Sequence, residues 1–241
     1  MKTAANVTRL WVDEFALASA LSAHDLTVRQ VLPSVEVLDS AGPARVVGNY
    51  GYSGSQNGFF DAATGASNFD QQSFTDLRID ESHYLSRAYG TAVGATAYLE
   101  IIRLTERPLA VAREEAVLLH FSHEGAGGLA RGALLGSGAA AVQNYAGVNL
   151  GATVSGKTFA VHFHLIAIGA ATITMKLQES QNDGAPDAYA DIAGLTSGAL
   201  AAAGIVRVTT TAATEAWKRL VVSGAFGSAT IAVCAGLVAS A

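Results

Sequence analysis

Two histidines separated by one residue are the first candidates for chemistry. His162 and His164 lie in FAVHFHLIAI, Phe159–Ile168, a stretch dense in strand-forming residues. Side chains alternate across a strand, so these two imidazoles point to the same face and could hold a metal ion. No suitable third ligand lies nearby, and the neighbouring residues are apolar. We therefore predict structural imidazoles on a half-buried or interface face, and no metal site.

A second histidine pair is less well placed for ligation. His120 and His123 are three residues apart, with Glu124 next, at the end of a predicted strand over Ala116–Ser122. Residues three apart on a strand face opposite ways, so a shared metal would need a turn at Ser122. No metal site is predicted here either.

Nucleophile and phosphate motifs are absent from the sequence. GYSGS at Gly51–Ser55 has some letters of a nucleophile elbow, but no helix follows it. The glycine strings Gly125–Gly128 and Gly136–Ala140 are not followed by Lys-Ser or Lys-Thr, as a phosphate-binding loop requires. We therefore predict no catalytic serine and no nucleotide cofactor.

Paired carboxylates do not supply an acid and a base. Asp80 with Glu81, and Glu114 with Glu115, are adjacent in sequence. Adjacent residues on a strand face opposite sides and cannot act on one glycosidic bond. The prediction is a protein that is not an enzyme, with no catalytic residue, metal or cofactor.

The elements that would position these residues are mainly strands. Half of the 241 residues are hydrophobic, much of that fraction is Ala and Val, and there are 25 glycines. This composition is typical of many short strands joined by tight turns. One helix is predicted over Asp70–Tyr89, with a capping sequence at Asp80–Ser82 and a stop at Gly90.

The second half of the chain predicts a small β-sandwich. Ser180–Tyr189, rich in Asn, Asp, Gly and Pro, predicts a turn. Arg207 and Arg219 each interrupt an apolar strand and are predicted to face solvent. The predicted strands are Phe159–Ile168, Thr172–Gln178, Ile205–Thr211, Trp217–Val222 and Ala229–Leu237.

Charge divides the chain into two parts. Residues 1–140 hold 10 basic and 15 acidic side chains, a net charge of −5, whereas the remainder holds 5 of each sign. A small, polar, turn-like stretch over residues 136–147 separates them. We predict one domain over 1–140 and a β-sandwich domain over 141–241. The acidic domain is expected to repel nucleic acid, because phosphate binding requires Lys and Arg.

The apolar end of the chain has the length of a membrane span, but not its character. Leu220–Ala241 carries no charge, yet Gly224, Gly227 and Gly236 interrupt it and hydroxyl residues recur through it. We predict a buried final strand and no membrane partner. Cys234 within it is predicted to be a buried, unreactive thiol.

The order of strands and turns near the start resembles a known family. The order runs through the phrases VDEFALASAL, VRQVLPSVEVLD and GYSGSQNGFFD, within Thr8–Ala62. It is similar to the opening of the major tail tube proteins of siphophages, the long-tailed bacteriophages. The phrases AYLEIIRL, at Ala97–Leu104, and REEAVLLHFSHEGAGGLARGALLG, at Arg113–Gly136, resemble the later tube strands. Residues 142–241 look like the extra β-domains that such virion proteins carry on their outer surface.

The resemblance implies a fold and a function. The fold is mainly β, a split β-barrel of two sheets with one flanking helix, followed by the small sandwich domain. Six copies would form a ring, and rings would stack into a tube whose bore conducts the DNA genome without specific binding. The partners would be other copies and other tail proteins, in a virion tail assembled in the host cytoplasm. The loop Asp39–Gly48 would reach the next subunit or ring through Asp39, Pro43 and Arg45.

A different class of protein is the alternative. The neutral, Thr- and Gly-rich second half also suits a capsid decoration protein or a module that binds the host surface. That alternative predicts a trimer or a monomer, and not a ring.

Overall fold

The computed structural model describes residues 8–17, 21–30, 34–35, 44–45, 50–59, 81–106, 109–110 and 118–239. All regular structure in this part of the chain is β. The strands are β1 Thr8–Val12, β2 Phe15–Ala16, β3 Leu21–His24, β4 Thr27–Gln30, β5 Ser34–Val35, β6 Ala44–Arg45, β7 Tyr50–Phe59, β8 Ser82–Tyr89, β9 Thr96–Glu106, β10 Leu109–Ala110, β11 Leu118–Gly125, β12 Ala130–Ala139, β13 Gln143–Asn144, β14 Val148–Asn149, β15 Phe159–Ile168, β16 Ile173–Ser180, β17 Ala190–Leu200, β18 Gly204–Thr210, β19 Trp217–Gly224 and β20 Ala229–Val238.

These strands form two compact units. The larger unit contains the described residues within 1–19, 83–101 and 129–240, and the smaller unit those within 20–82 and 102–128. The units do not coincide with the predicted division after residue 140. β12 lies before that boundary but pairs with β20 from Ala130↔Val238 to Ala139↔Thr230. The division into 1–140 and 141–241 therefore stays a prediction.

The larger unit is built around one sheet that is covered on both faces. Its strand order is β18–β15–β20–β12–β9, continued by β8, β1 and β2. A five-stranded sheet, β13–β19–β16–β17 with β14 also beside β19, packs on one face. Strands buried on both faces are continuously apolar, and β15 is buried from Phe159 to Leu165.

The alternation of side chains separates two cores. Odd-numbered residues of β15, such as Phe163, pack with Met175 and Leu220 of the five-stranded sheet. The other face of β15 and β20 contributes Ala160 and Cys234 to a second core. That second core also contains Trp11 of β1, Ala88 of β8, Ala97 and Leu99 of β9, and Ala130 and Leu134 of β12. The sheet therefore curls until β1 and β8 face β15 and β20.

The smaller unit is a separate antiparallel arrangement. The second half of β9 pairs with β11, β11 with β7, and β7 with both β3 and β4. β10 also pairs with β11, and β5 pairs with β6 as an isolated two-stranded sheet. Phe121 and Tyr52 are buried in this unit.

The predicted helix is wrong where the structure describes it. Ser82–Tyr89 is strand β8, and Asp70–Asp80 lies outside the described residues. Five of the eight residues of β8 are buried, and β8 pairs with β1 from Leu85↔Val12 to Tyr89↔Thr8. Burial on both faces between two partner strands overrides a weak helical periodicity.

The apolar end of the chain is strand, as predicted. Trp217–Gly224 is β19 and Ala229–Val238 is β20, with most of β20 buried. The described residues include no helix with the length and apolarity needed to span a membrane.

Candidate functional site

The predicted contact residues are only partly within the described chain. Arg45 lies in β6, opposite Ser34 of β5. The loop prediction is therefore wrong at Ala44 and Arg45, which form a short strand. Asp39 and Pro43 lie outside the described residues. The structure thus places one of the three predicted residues on a β-hairpin and leaves their role as contacts a proposal.

His162 and His164 share one face of β15, as the sequence predicts, but they are completely buried. They contact each other edge to face, with ring centroids 5.9 Å apart. Ser86 of β8 lies between them: its Oγ is 3.0 Å from His162 Nδ1 and 2.8 Å from His164 Nε2. This residue bridges the two imidazoles from the layer that covers them.

The turn between β1 and β2 supplies the next group. Asp13 adopts a left-handed φ of 49°, and its backbone carbonyl lies 2.5 Å from His164 Nδ1. Its carboxylate accepts from the Tyr84 backbone N–H at 2.9 Å and lies 2.6 Å from His83 Nδ1. One aspartate therefore fixes β8 through its side chain and β15 through its main chain.

Burial controls the charge of both central histidines. Desolvation lowers the pKa of His164 to about 4, against the raising effects of the Asp13 carbonyl and carboxylate. Desolvation, followed by the nearby His164 and Arg207, holds the pKa of His162 well below its ordinary value. Both imidazoles are therefore neutral at neutral pH.

The cluster has the parts of a serine–histidine pair without access for a substrate. Ser86 and His164 are within the distance expected of a nucleophile and its base. However, Ser86, His162 and His164 are all fully buried. A backbone carbonyl, and not a carboxylate, holds His164 Nδ1. The arrangement holds two layers of the larger unit together and leaves Ser86 out of reach of a substrate.

No metal centre is formed by the described residues. They contain no group of three or more His, Cys, Asp or Glu side chains that could share an ion. His123 continues along β11 without a turn at Ser122 and lies 3.2 Å from the Gln56 side-chain oxygen through its Nδ1. The condition that the sequence sets for a His120–His123 site is therefore not met.

Two arginines predicted to face solvent are half-buried. Arg207 lies opposite His162 in the β15–β18 register. Arg219 donates from Nε and Nη2 to the Gln178 side-chain oxygen at 2.9 and 2.7 Å, and its guanidinium stacks over Tyr189 at 4.0 Å. A planar guanidinium can satisfy its donors and still cover an aromatic ring, which explains its place on a sheet face.

The sequence gives no signal for most partners in the histidine cluster. Ser86 and Asp13 are 76 and 151 residues from the histidines they contact. The spacing of His162 and His164 predicts their common face. It cannot predict which strand covers that face.

An open groove lies in the larger unit beside the same layer. It has a volume of about 510 Å³ and is lined by residues that include Trp11, Ile166, Thr91 and Ser137. Its lining mixes apolar surface and hydroxyl groups with one charged residue, Arg9.

The edges of the two sheets in the larger unit differ in regularity. β18 pairs with β15 over seven successive residues, from Gly204 to Thr210, and within the described chain no strand pairs with its other side. β17 is the edge of the five-stranded sheet, and its pairing with β16 is interrupted by two register shifts. Bulges protect an edge strand against further pairing. The regular β18 edge is therefore the better surface for a further strand.

The chain is similar to several solved structures, each with a low TM-score. No protein-family profile and no curated protein matches the chain. The tail of an empty gene transfer agent particle, refined with C6 symmetry, aligns at 15% identity and a TM-score of 0.38, over 54% of this chain and 97% of that chain. The SPP1 tail tube aligns at 12% identity and a TM-score of 0.42, over 55% of this chain and 80% of that chain.

One alignment extends over nearly the whole chain. It is with SPP1 Dit, described as a hub adsorption apparatus of phages that infect Gram-positive bacteria. The identity is 8% and the TM-score 0.35, over 96% of this chain and 99% of that chain. Identities and TM-scores in this range do not assign the chain to a family.

Proposed function

We propose that this chain is a structural subunit of a bacteriophage tail tube. Copies form hexameric rings, the rings stack, and the DNA genome passes through the bore without specific binding. The observation that carries the proposal is the order of phrases within Thr8–Ala62, which resembles siphophage tail tube proteins. The subunit would act through assembly and not through catalysis.

The architecture supports assembly from copies. Every element of the described chain is a strand. The edge strand of the main sheet in the larger unit is β18, which is regular and, within the described chain, is paired on one side. Unpaired strand edges favour pairing with another chain, and closure into a ring removes such edges. These features are consistent with a subunit whose sheets are completed by strands of neighbouring copies.

The charge distribution supports a bore for DNA. Residues 1–140 carry the whole net charge of −5, and the rest of the chain is neutral. Like charge repels the phosphate backbone, so an acidic wall would let DNA pass without adhering. We assign the neutral residues 141–241 to the outer surface of the tube.

Contacts between subunits or rings are part of the proposal. Arg45, on the β5–β6 hairpin, is the polar contact that we assign to a neighbouring subunit, together with Asp39 and Pro43. Other tail proteins would bind at the two ends of the stacked rings, where the same surfaces have no further copy to contact.

Negative-stain electron microscopy of the purified chain at high concentration tests the proposal. We expect rings with a central hole, or short tubes of stacked rings. Small separate particles at every concentration would contradict a tube subunit. A stable trimer in multi-angle light scattering would instead favour a capsid decoration or host-binding protein.

A further inference from the structure

The hydrogen bonds around His162 and His164 determine where the protons lie. A backbone carbonyl only accepts, so His164 Nδ1 must donate to the Asp13 oxygen at 2.5 Å. Neutral His164 then has a bare Nε2, which accepts from the Ser86 hydroxyl at 2.8 Å. Because Ser86 has given its only proton, its oxygen accepts from His162 Nδ1–H at 3.0 Å.

One nitrogen is left over from this chain of bonds. His162 Nε2 carries no proton, is buried, and has no hydrogen-bond partner among the described residues. A buried polar atom without a partner is costly and rare. Its surroundings are the Tyr84 ring, with centroids 5.5 Å apart, His164, and Arg207 across the strand pair.

Among the described residues, Asp13 is the acidic group that acts on either imidazole. From β20, Cys234 lies opposite His162 in the register, and burial raises the pKa of its thiol to about 12, so it stays neutral. Arg207 of β18 is cationic. The Asp13 carboxylate is already engaged by His83 and the Tyr84 N–H. Within the part of the chain that the structure describes, the titratable and charged groups that contact, pair in register with or act electrostatically on either imidazole are Asp13, Tyr84, Arg207 and Cys234, and His83 joins them through Asp13. Arg87, next to Ser86 on β8, pairs instead with Glu100 of β9 at 3.4 Å.

A proton added to His162 Nε2 has no acceptor among the described residues, and a proton added to His164 Nε2 must take Ser86 Oγ as its acceptor. On His162 Nε2, it creates an unpaired cation close to Arg207. On His164 Nε2, it displaces the Ser86 donor and reverses that bond, so Ser86 must accept from both histidines. Unpaired buried charge is strongly destabilising.

We propose that the chain Asp13–His164–Ser86–His162 is an acid-sensitive lock. At neutral pH it holds the layer of β1, the β1–β2 turn and β8 against β15 and β20 of the same curled sheet. In acid, both imidazoles take up protons and this layer separates from β15 while the rest of the unit stays folded. The inference is independent of the proposed function.

The proton positions are tested by nitrogen-15 NMR of the histidine rings in the wild-type chain. We expect both His162 and His164 to be neutral, with the proton on Nδ1, at pH 7. Both should remain so to well below the ordinary pKa of 6.5. A proton on Nε2 of either ring, or protonation of either at its ordinary pKa, overturns the proposal.

The lock itself is tested by hydrogen exchange, measured as protection factors of residues 8–17 and 83–89 in the larger unit. Between pH 7.5 and pH 4.5 we expect these factors to fall at least roughly tenfold, because the open state takes up protons that the closed state excludes. Protection of β16 and β19 should change much less. Equal protection of residues 8–17 at the two pH values, or an equal loss of protection in β1, β8, β16 and β19, overturns the proposal.

His162→Asn separates the titration from the hydrogen bond. An asparagine amide can still donate to Ser86 but does not titrate. The loss of protection in acid should then be several-fold smaller than in the wild type. His123→Asn, in the smaller unit, is the matched control and should leave residues 8–17 as acid-sensitive as before. An H162N variant with the wild-type acid response contradicts the lock.

Discussion

At the residue scale, Lys218 shows how one buried cation limits stability. Its side chain on β19 is fully buried, its Nζ donates to the Gly151 carbonyl at 3.2 Å, and it lies 5.5 Å from the centre of the Phe159 ring. Burial lowers the pKa of Lys218 to about 8, partly offset by Glu179 and Glu215. The folded state therefore holds this proton less tightly than the unfolded chain does.

The lowered pKa of Lys218 makes the free energy of unfolding depend on pH. Between pH 8 and the ordinary lysine pKa of 10.5, the unfolded chain carries more protons than the folded chain, so stability rises with pH. The full effect is up to about 3 kcal/mol. Urea unfolding should give a higher free energy of unfolding for the wild type at pH 9.5 than at pH 7.5. In Lys218→Met, most of this increase should be absent.

Lys176→Met is the matched control for this prediction. Lys176 lies on β16 and pairs at 2.7 Å with Asp191, with both side chains partly exposed. Exposed pairs contribute little to stability, so K176M should retain the wild-type rise between the two pH values. A K218M variant that still gains as much as the wild type would show that Lys218 is not the group responsible.

At the element scale, β12 and β20 approach closely where both carry glycine. Gly132 lies opposite Gly236 in their register. A Cβ on Gly132 would collide with the Ala235 carbonyl oxygen, and a Cβ on Gly236 would lie 2.5 Å from the Arg131 carbonyl. These contacts are with backbone, which cannot turn aside as a flexible side chain can. The two glycines are therefore required by packing.

Gly132→Ala should destabilise the larger unit by about 1–3 kcal/mol, the usual cost of overpacking a well-packed core. Thermal unfolding monitored by circular dichroism measures this loss. Gly227→Ala is the control, because a Cβ there meets no atom within 4 Å. A G132A variant as stable as G227A would show that the two strands can separate without penalty.

Strand β8 illustrates how an element is decided by its partners. Its sequence SHYLSRAY carries the capping residue and periodicity of a short helix, yet it pairs with both β1 and β9. As a strand, it directs Ser86 at the two histidines of β15. The polar cluster therefore exists only because this segment is extended.

At the scale of the whole molecule, the open edge of β18 is the feature that bears on assembly. Thr209 is exposed on this strand, opposite Ala160 of β15. A lysine on an edge strand opposes further pairing. If copies join through this edge, Thr209→Lys should shift sedimentation-velocity profiles from large assemblies to small species, with little change in the free energy of unfolding.

Ala193→Lys places the same charge on the exposed, bulged edge strand β17. This control variant should assemble as the wild type does. If T209K forms the same assemblies as A193K, the copies do not meet through β18, and a different surface must join them.

Much of the strand pattern follows from local sequence. FAVHFHLIAI is β15 with the predicted bounds, and the predicted strands over 172–178, 205–211, 217–222 and 229–237 each lie within about two residues of β16, β18, β19 and β20. The one long strand missed in this region is β17, whose glycines and alanines give a weak signal. Composition also predicts the mainly β character of the fold, and the described residues agree with it.

Local sequence by itself determined the strands β15, β16, β18, β19 and β20 and the common face of His162 and His164, because alternation is a property of one strand. Only the tertiary structure decided that β8 is extended, that β12 belongs with β20, and that Ser86 and Asp13 meet the two histidines. These contacts join residues far apart in the chain. Their energies depend on burial between strands, which no local pattern encodes.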